Sequence, residues 1–328
     1  MTPLTVEEAR SLRAKGEWQA LVERAKPMSE NELFADPELA LLYAVGCRRV
    51  GDTGRALAVA GRVEGEARRR GDRVLVAETV NLIGNALFES GRMEEARARY
   101  EELLESASQW HDEEYSARAS NNLGIIANVR GRRDQALVSY ERALAAYQRL
   151  GNVRGLAETH HNLGISYRDL GFDREADAHF RRAIELAEGA GLQDVMALAE
   201  TERAGLRARA GDGQLAAEMA RRALERFRRI ADPTGAASAI RSLAAAARVE
   251  GRDDDAAGHL DEALRIADAH ADALIRAEVQ RDRGLLLRDR GDTDAARAAL
   301  EDAAAHFEKI GALAEAAAMR SITADFES

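Results

Sequence analysis

Any chemistry performed by this chain would fall to seven histidines, one cysteine and an excess of carboxylates. The histidines do not form a ligand set. His160 and His161 are adjacent, so on a helix they point to different faces and cannot chelate one ion together. His111, His179, His259, His270 and His306 are dispersed, and no metal site is expected. Cys47 stands alone, which excludes an intrachain disulfide or a CxxC site, and its helical column predicts a small buried core residue. The carboxylates of Glu94, Glu95 and Asp253–Asp255 follow turn glycines, where they suit helix N-termini better than acid catalysis. Neither a P-loop, an HExxH pair nor a GxSxG elbow is present. The residues therefore predict no enzyme and no cofactor.

The elements that carry these residues repeat. Gly51, Gly91, Gly131, Gly171, Gly211, Gly251 and Gly291 recur every forty residues without an insertion. A second series runs halfway between them: Gly71, His111, Gly151, Gly191, Ala231, Ala271 and Gly311. Glycine takes the left-handed conformation that ends a helix at little cost. The chain is thus cut into helical segments, as in Ala136, Tyr140, Ala143, Leu144 and Tyr147, which recur at i+3 and i+4. Alanine stands five residues after each first-series glycine, from Ala56 to Ala296. Seven residues before the turn come Ala44, Gly84, Gly124, Gly164, Ala204, Ala244 and Gly284, small enough to let two helices approach.

Composition agrees. With 46% apolar and 32% charged residues the chain is a folded, soluble protein. Only 4 prolines and a few aromatics argue against a β-sandwich or barrel. A net charge of −10 and a pI near 5.4 give no bulk attraction to nucleic acid or to an anionic membrane. Residues 1–26 lack the apolar core of a signal peptide, and there is no run of 18 apolar residues, so a cytoplasmic location without a membrane span is expected.

The small residue of one helix, the turn, and then Ala-x3-Tyr/Phe-x2-Ala in the next helix resemble the tetratricopeptide repeat family. The stretches NNLGIIANVRGRRDQALVSYERAL (121–144) and HNLGISYRDLGFDREADAHFRRAIELA (161–187) carry that pattern. The forty-residue period is similar to that of Pins-type polarity adaptors and of bacterial regulators. The resemblance implies an all-α, right-handed superhelical solenoid of antiparallel helix pairs. Seven units fall at 31–70, 71–110, 111–150, 151–190, 191–230, 231–270 and 271–310. Capping helices fall at 1–30 and 311–328, as repeat arrays require at their ends. The family's helix-A leucine is kept at Leu123, Leu163 and Leu243. Arg203 and Arg283 replace it in units five and seven, which predicts looser packing there.

The resemblance also places the first helix of each pair on the concave face. Its polar residues off the core columns are then the candidate site: Asn81, Asn85, Asn121, Asn122, Asn128, His161 and Asn162 in units two to four. Asparagine is a poor helix former, so this cluster needs another reason. An amide can pair with the main chain of an extended peptide, and the family uses inner asparagines so. Arg168, Arg241, Arg248, Arg281 and Arg288 follow in later units and suit carboxylates in bidentate geometry. Phe88 and Tyr167 are candidate apolar contacts. Glu158, Asp169, Glu202, Asp282 and Asp289 lie close enough to pair with the arginines instead. The expected function is non-enzymatic: a scaffold or adaptor that captures a protein or peptide segment in a concave groove. That partner is acidic or offers a free carboxylate, and is neither nucleic acid nor membrane. Two alternatives stand beside it, a ligand-sensing subunit acting through a separate effector protein and a structural subunit of a larger assembly.

Overall fold

The computed structural model describes residues 3–270 and 272–327. Every regular element among them is helical. In chain order they are α1 (Val6–Lys15), α2 (Trp18–Ala25), α3 (Glu30–Phe34), α4 (Pro37–Arg49), α5 (Thr53–Arg70), α6 (Arg73–Glu89), α7 (Met93–Trp110), α8 (Glu113–Val129) and α9 (Arg133–Leu150). There follow α10 (Val153–Asp169), α11 (Asp173–Gly189), α12 (Gln193–Arg209), α13 (Gly213–Arg229), α14 (Pro233–Val249), α15 (Asp253–Ala269), α16 (Ala273–Asp289), α17 (Thr293–Lys309) and α18 (Leu313–Ala324). A short 3-10 turn, Asp325–Glu327, ends the series. The helices pack in successive adjacent pairs, which is the expected helical solenoid.

The forty-residue glycines are its punctuation. All seven take positive φ, from 71° at Gly131 to 86° at Gly51. His111 and Ala231 hold the same left-handed position without being glycine, at φ 56° and 53°. Ala271, expected at that position too, lies outside the described residues. One residue after the turn, Asp72, Asn152, Asp212, Asp232 and Asp292 each accept a hydrogen bond from the backbone three residues on. These side chains satisfy N–H groups that the new helix cannot.

The small-residue column does what its spacing predicts. A methyl group added at Gly124 would lie 2.5 Å from Cε1 of Tyr140, and one at Gly164 would lie 2.5 Å from Cε1 of Phe180. The aromatic ring therefore lies directly on the backbone of the facing helix. Cys47 is fully buried in the core, and burial pushes its thiol above the usual range. At Arg203 and Arg283 the helices continue unbroken. Each arginine pairs with a carboxylate of the preceding helix, half-buried Arg203 with Asp177 at 2.7 Å and exposed Arg283 with Asp261 at 3.6 Å.

The chain divides into two compact units, Met1–Ala119 and Ser120–Ser328, with the division inside α8. In the first unit α1, α2 and α3 all pack on α4, and α4 to α7 continue as antiparallel neighbours. In the second, α9 to α18 follow in the same way. The second unit also closes on itself. Val129, at the end of α8, packs against the apolar cluster of Phe307, Met319 and their neighbours on α16, α17 and α18. A Cβ at Gly131 would lie 3.3 Å from that of Ala314 on α18.

Candidate functional site

The first unit holds Asn81, Asn85 and Phe88, all on α6 and all half-buried. Asn85 accepts a hydrogen bond from the Tyr100 hydroxyl at 2.7 Å. Tyr100 is the ring that covers Gly84, so the Asn85 amide is engaged in fixing an aromatic core residue. The other eleven candidates lie in the second unit.

Within the second unit the asparagines join one helix A to the next. The Asn121 carbonyl accepts from the Thr159 hydroxyl at 3.2 Å and from the Asn162 amide at 3.1 Å. Asn128 accepts from the Ser166 hydroxyl at 2.8 Å and donates to Asp169 at 3.2 Å. Asn121 and Asn128 are buried, as bridging amides must be if their bonds are to count. Asn122 is half-buried on the same helix. His161 packs on Phe180 with ring centroids 5.8 Å apart, and burial holds its imidazole below its ordinary pKa. Its Nε2 is buried and has no hydrogen-bond partner among the described residues.

The arginines form an ion-pair chain along α10, α12, α14 and α16. Arg168 donates to Asp169 at 2.8 Å and also reaches Glu202. Arg241 meets Asp282 and Glu278, both at 3.0 Å, and Arg281 meets Asp282 at 2.9 Å. Burial opposes the charge on Arg168 and Arg241, but the carboxylates more than offset it, so both guanidiniums are held above the ordinary arginine value. Burial likewise raises Glu202 and Asp282, and their arginine neighbours carry them back below the ordinary carboxylate range. All of these groups are therefore charged at neutral pH. Nearer the rim, Arg248 and Arg288 share a single carboxylate, Asp289, at 2.8 and 3.0 Å.

The buried pairs and Arg248 line a cavity of about 560 Å³, with Arg288 and Asp289 outside its lining. Arg168, Asp169, Glu202, Arg241, Glu278 and Arg281 make its charged wall, while Ala244, Ala245, Leu260 and Leu286 supply apolar surface. Arg248 lies at this cavity with them. Tyr167, expected as an apolar contact, stacks instead on His179 at 5.1 Å and meets Phe172 edge-on.

Two features escaped the sequence reading. Glu278 was not anticipated as a partner of Arg241. Its signal is an offset of one repeat plus or minus a few residues, which recurs as forty-one between Asn128 and Asp169, Arg241 and Asp282, and Arg248 and Asp289. The histidines are also less dispersed than expected. His160 and His179 meet Nδ1 to Nδ1 at 3.0 Å, because facing positions on α10 and α11 are nineteen residues apart through the turn. A centroid separation of 5.2 Å sets the two nitrogens head-on, as in a hydrogen bond between neutral imidazoles. No group of three or more metal-ligating side chains occurs among the described residues. No described helix is long and apolar enough to cross a membrane.

Comparison with known proteins places this architecture. No curated protein matches the chain in sequence. Among solved structures it is similar to a Rap protein complexed with competence and sporulation factor, at 16% identity and a TM-score of 0.62, over 97% of this chain and 98% of that one. It is similar to the Rap conjugation gene regulator of plasmid pLS20 in complex with the Phr* peptide, at 17% identity and a TM-score of 0.69, over 88% and 79%. BtubC from P. vanneervenii gives 23% identity and a TM-score of 0.54, over 66% and 91%. Each of these likenesses is one of fold. A tetratricopeptide repeat model matches residues 75–149 and 115–189. Residues 75–189 thus carry tetratricopeptide repeats, and the helix pairs, turn glycines and small-residue columns continue in the same register to Gly291.

Proposed function

We propose that this chain is a non-enzymatic binding protein that captures a peptide or protein segment in the cavity of its second unit. The observation that carries this reading is the cavity itself, a concave space of peptide-side-chain dimensions walled by ordered, charged helix-A residues. The wall is held rigid by its own ion pairs, which lowers the ordering cost of binding. The fold likeness to a Rap regulator solved with the Phr* peptide and to a Rap protein solved with competence and sporulation factor supports the same reading, and supports a sensing role through a separate effector as its second form.

The rim favours an acidic segment or a free carboxylate. Arg248 and Arg288 converge on one carboxylate, so two guanidiniums share a single negative charge at the edge of the cavity that Arg248 lines. A ligand carboxylate there gains a bidentate guanidinium contact without displacing the buried pairs. Asn121 and Asn162 lie further along the same helix faces, where their remaining amide groups can pair with a peptide main chain.

The experiment is affinity capture of the partner from native lysate, then titration of that partner against variants. Arg248→Glu with Arg288→Glu should weaken binding, and more at low salt than at high salt. Asn121→Ala with Asn162→Ala should weaken it while leaving helicity intact. Arg142→Glu, on the exposed face of α9, is the control. Loss of binding in that control, with normal binding in both helix-A variants, would transfer the function to the outer surface.

A further inference from the structure

Helix α18 begins forty residues after α16, so by register it is an eighth helix A, and no α-helix follows it among the described residues. Two columns of the array show what a following helix does. Ala77, Ala117, Ala157, Ala197, Ala237 and Ala277 are each exposed by 1% or less. Ala317, the next in that column, is exposed. The small-residue column from Ala44 to Gly284 is buried throughout, and its next member, Ala324, is exposed too. In unit seven the second helix of the pair, α17, covers both columns. Ala277 shares an apolar cluster with Ala303 and Phe307, and a Cβ at Gly284 would lie 2.6 Å from Cγ of Leu300. The turn after α8 meets the start of α18, where Gly131 abuts Ala314 and Arg133 faces Glu315 at 3.9 Å, and it leaves Ala317 and Ala324 open.

Leu313, Ala317, Arg320 and Ala324 fall on one face of α18, at helical spacing. Its apolar members are all exposed, Leu313 by 63%. The outermost helix of an array that faces water is polar on its outer side. Helix α1 obeys this rule and presents Glu7, Glu8, Arg10, Arg13 and Lys15. Helix α18 presents the apolar half of a helix-pair interface instead. We infer that this face docks one amphipathic helix of another protein, in the place of the missing second helix. The residues that fill the same columns elsewhere specify its chemistry. Ala244 shares the column of Ala324, and its unit supplies Leu260 as the covering residue, with Ala256 four before and Ala263 three after, all buried. The docked helix therefore carries Ala-x3-Leu-x2-Ala on its inner stripe. Its flank is acidic. In the column of Arg320, His160 meets His179 and Glu200 accepts from Arg226, each time on the following helix. Arg320 is tied to Glu308 of α17 but is more than half exposed, with donors left for a second acid. Two copies of α18 do not satisfy each other, because alanines would meet alanines where the array places a leucine or a ring. None of these residues lines the cavity of the second unit, so the inference stands apart from the cavity reading.

The test needs no native partner. The probe is a synthetic, fluorescein-labelled peptide of residues 253–269, which has this pattern and carries 6 acids against 1 arginine. Titration with the full chain should raise its anisotropy and slow amide exchange in α18. Leu260→Ser in the peptide should weaken binding about tenfold or more. Ala317→Lys and Ala324→Lys in the protein should each do the same, because a charge is set against an apolar stripe. Both positions are exposed, so neither change disturbs the core. Lysine would attract an acidic probe, so a loss separates contact from charge. Arg320→Ala should weaken binding a few-fold, and more at low salt than at high salt. Absence of saturable binding overturns the inference, as does binding that both lysine variants leave undiminished. Loss of binding in Arg248→Glu with Arg288→Glu, and in neither lysine variant, would send the probe to the cavity and overturn it as well. A dimer in sedimentation that Ala324→Lys dissociates would give the face to a second copy of this chain instead.

Discussion

Arg241 donates from Nη1 to Oδ2 of Asp282 at 3.0 Å, across an interval of forty-one residues. Its other terminal nitrogen meets Glu278 at 3.0 Å, so one guanidinium on α14 holds two carboxylates of α16. Arg241→Ala leaves both acids without that partner in a desolvated wall. Removal of one member of such a group costs about 3 kcal/mol or more. Arg241→Lys should recover only part of the loss, because an ammonium cannot fork between two carboxylates as a guanidinium does. Urea denaturation of the three proteins measures both differences.

A second prediction concerns the aromatic that lies on a bare backbone. Gly124→Ala forces a methyl group against Tyr140 and should cost about 1–3 kcal/mol. Adding Tyr140→Leu should return part of that loss, since Ala244 and Leu260 occupy the same two columns in the sixth unit and are both buried there. Thermal melts of the single and double variants test whether the two sites are coupled.

The paired imidazoles predict acid sensitivity. Burial, then His179 and Arg182, hold His160 down to about 4 from an ordinary value of 6.5, and burial lowers His179 as well. A depressed imidazole pKa means that the unfolded chain binds more protons. The stabilisation is therefore complete above 6.5 and is lost as pH falls towards 4. His160→Asn should flatten that part of the stability profile. An unchanged slope between these pH values would show that the pair does not govern it.

Glu315 predicts the opposite sign. Burial, reinforced by Asp169, raises its carboxyl above the ordinary value of 4.5. The docked α18 thus prefers the protonated side chain. The contribution to docking is fully present below 4.5 and is lost as pH rises through the raised value. Glu315→Gln imitates the protonated form and should slow amide exchange in α18 at neutral pH. Faster exchange in that variant would mean that the Arg133 contact outweighs burial.

Most of the fold was legible because its signals are local. A turn glycine and the alanine five residues on are both local signals, and a strict period repeats each of them seven times. The candidate site was legible only in part. Asn121, Asn128, Arg168 and Arg241 stand out in the sequence as polar helix-A residues, but position alone does not say what a side chain holds. Asn128 bonds Ser166 and Asp169, and Arg241 bonds Glu278, because neighbouring repeats are rotated and offset against one another. That rotation is a property of packed helices, and a forty-residue column alignment hides it. The packing of Val129 against the cluster on α16, α17 and α18 was beyond reach for the same reason, since it arises only after several such rotations accumulate.

Repeat arrays ordinarily grow and shrink by duplication or loss of a unit, because each unit needs only its neighbours. The contact between Gly131 and Ala314 removes that freedom from the second unit. A forty-residue insertion anywhere between them would carry α18 past its docking place, and a deletion would stop it short. Copy number between these two residues is therefore set by the contact itself, and a variant with one forty-residue unit added or removed there should lose the docking of α18.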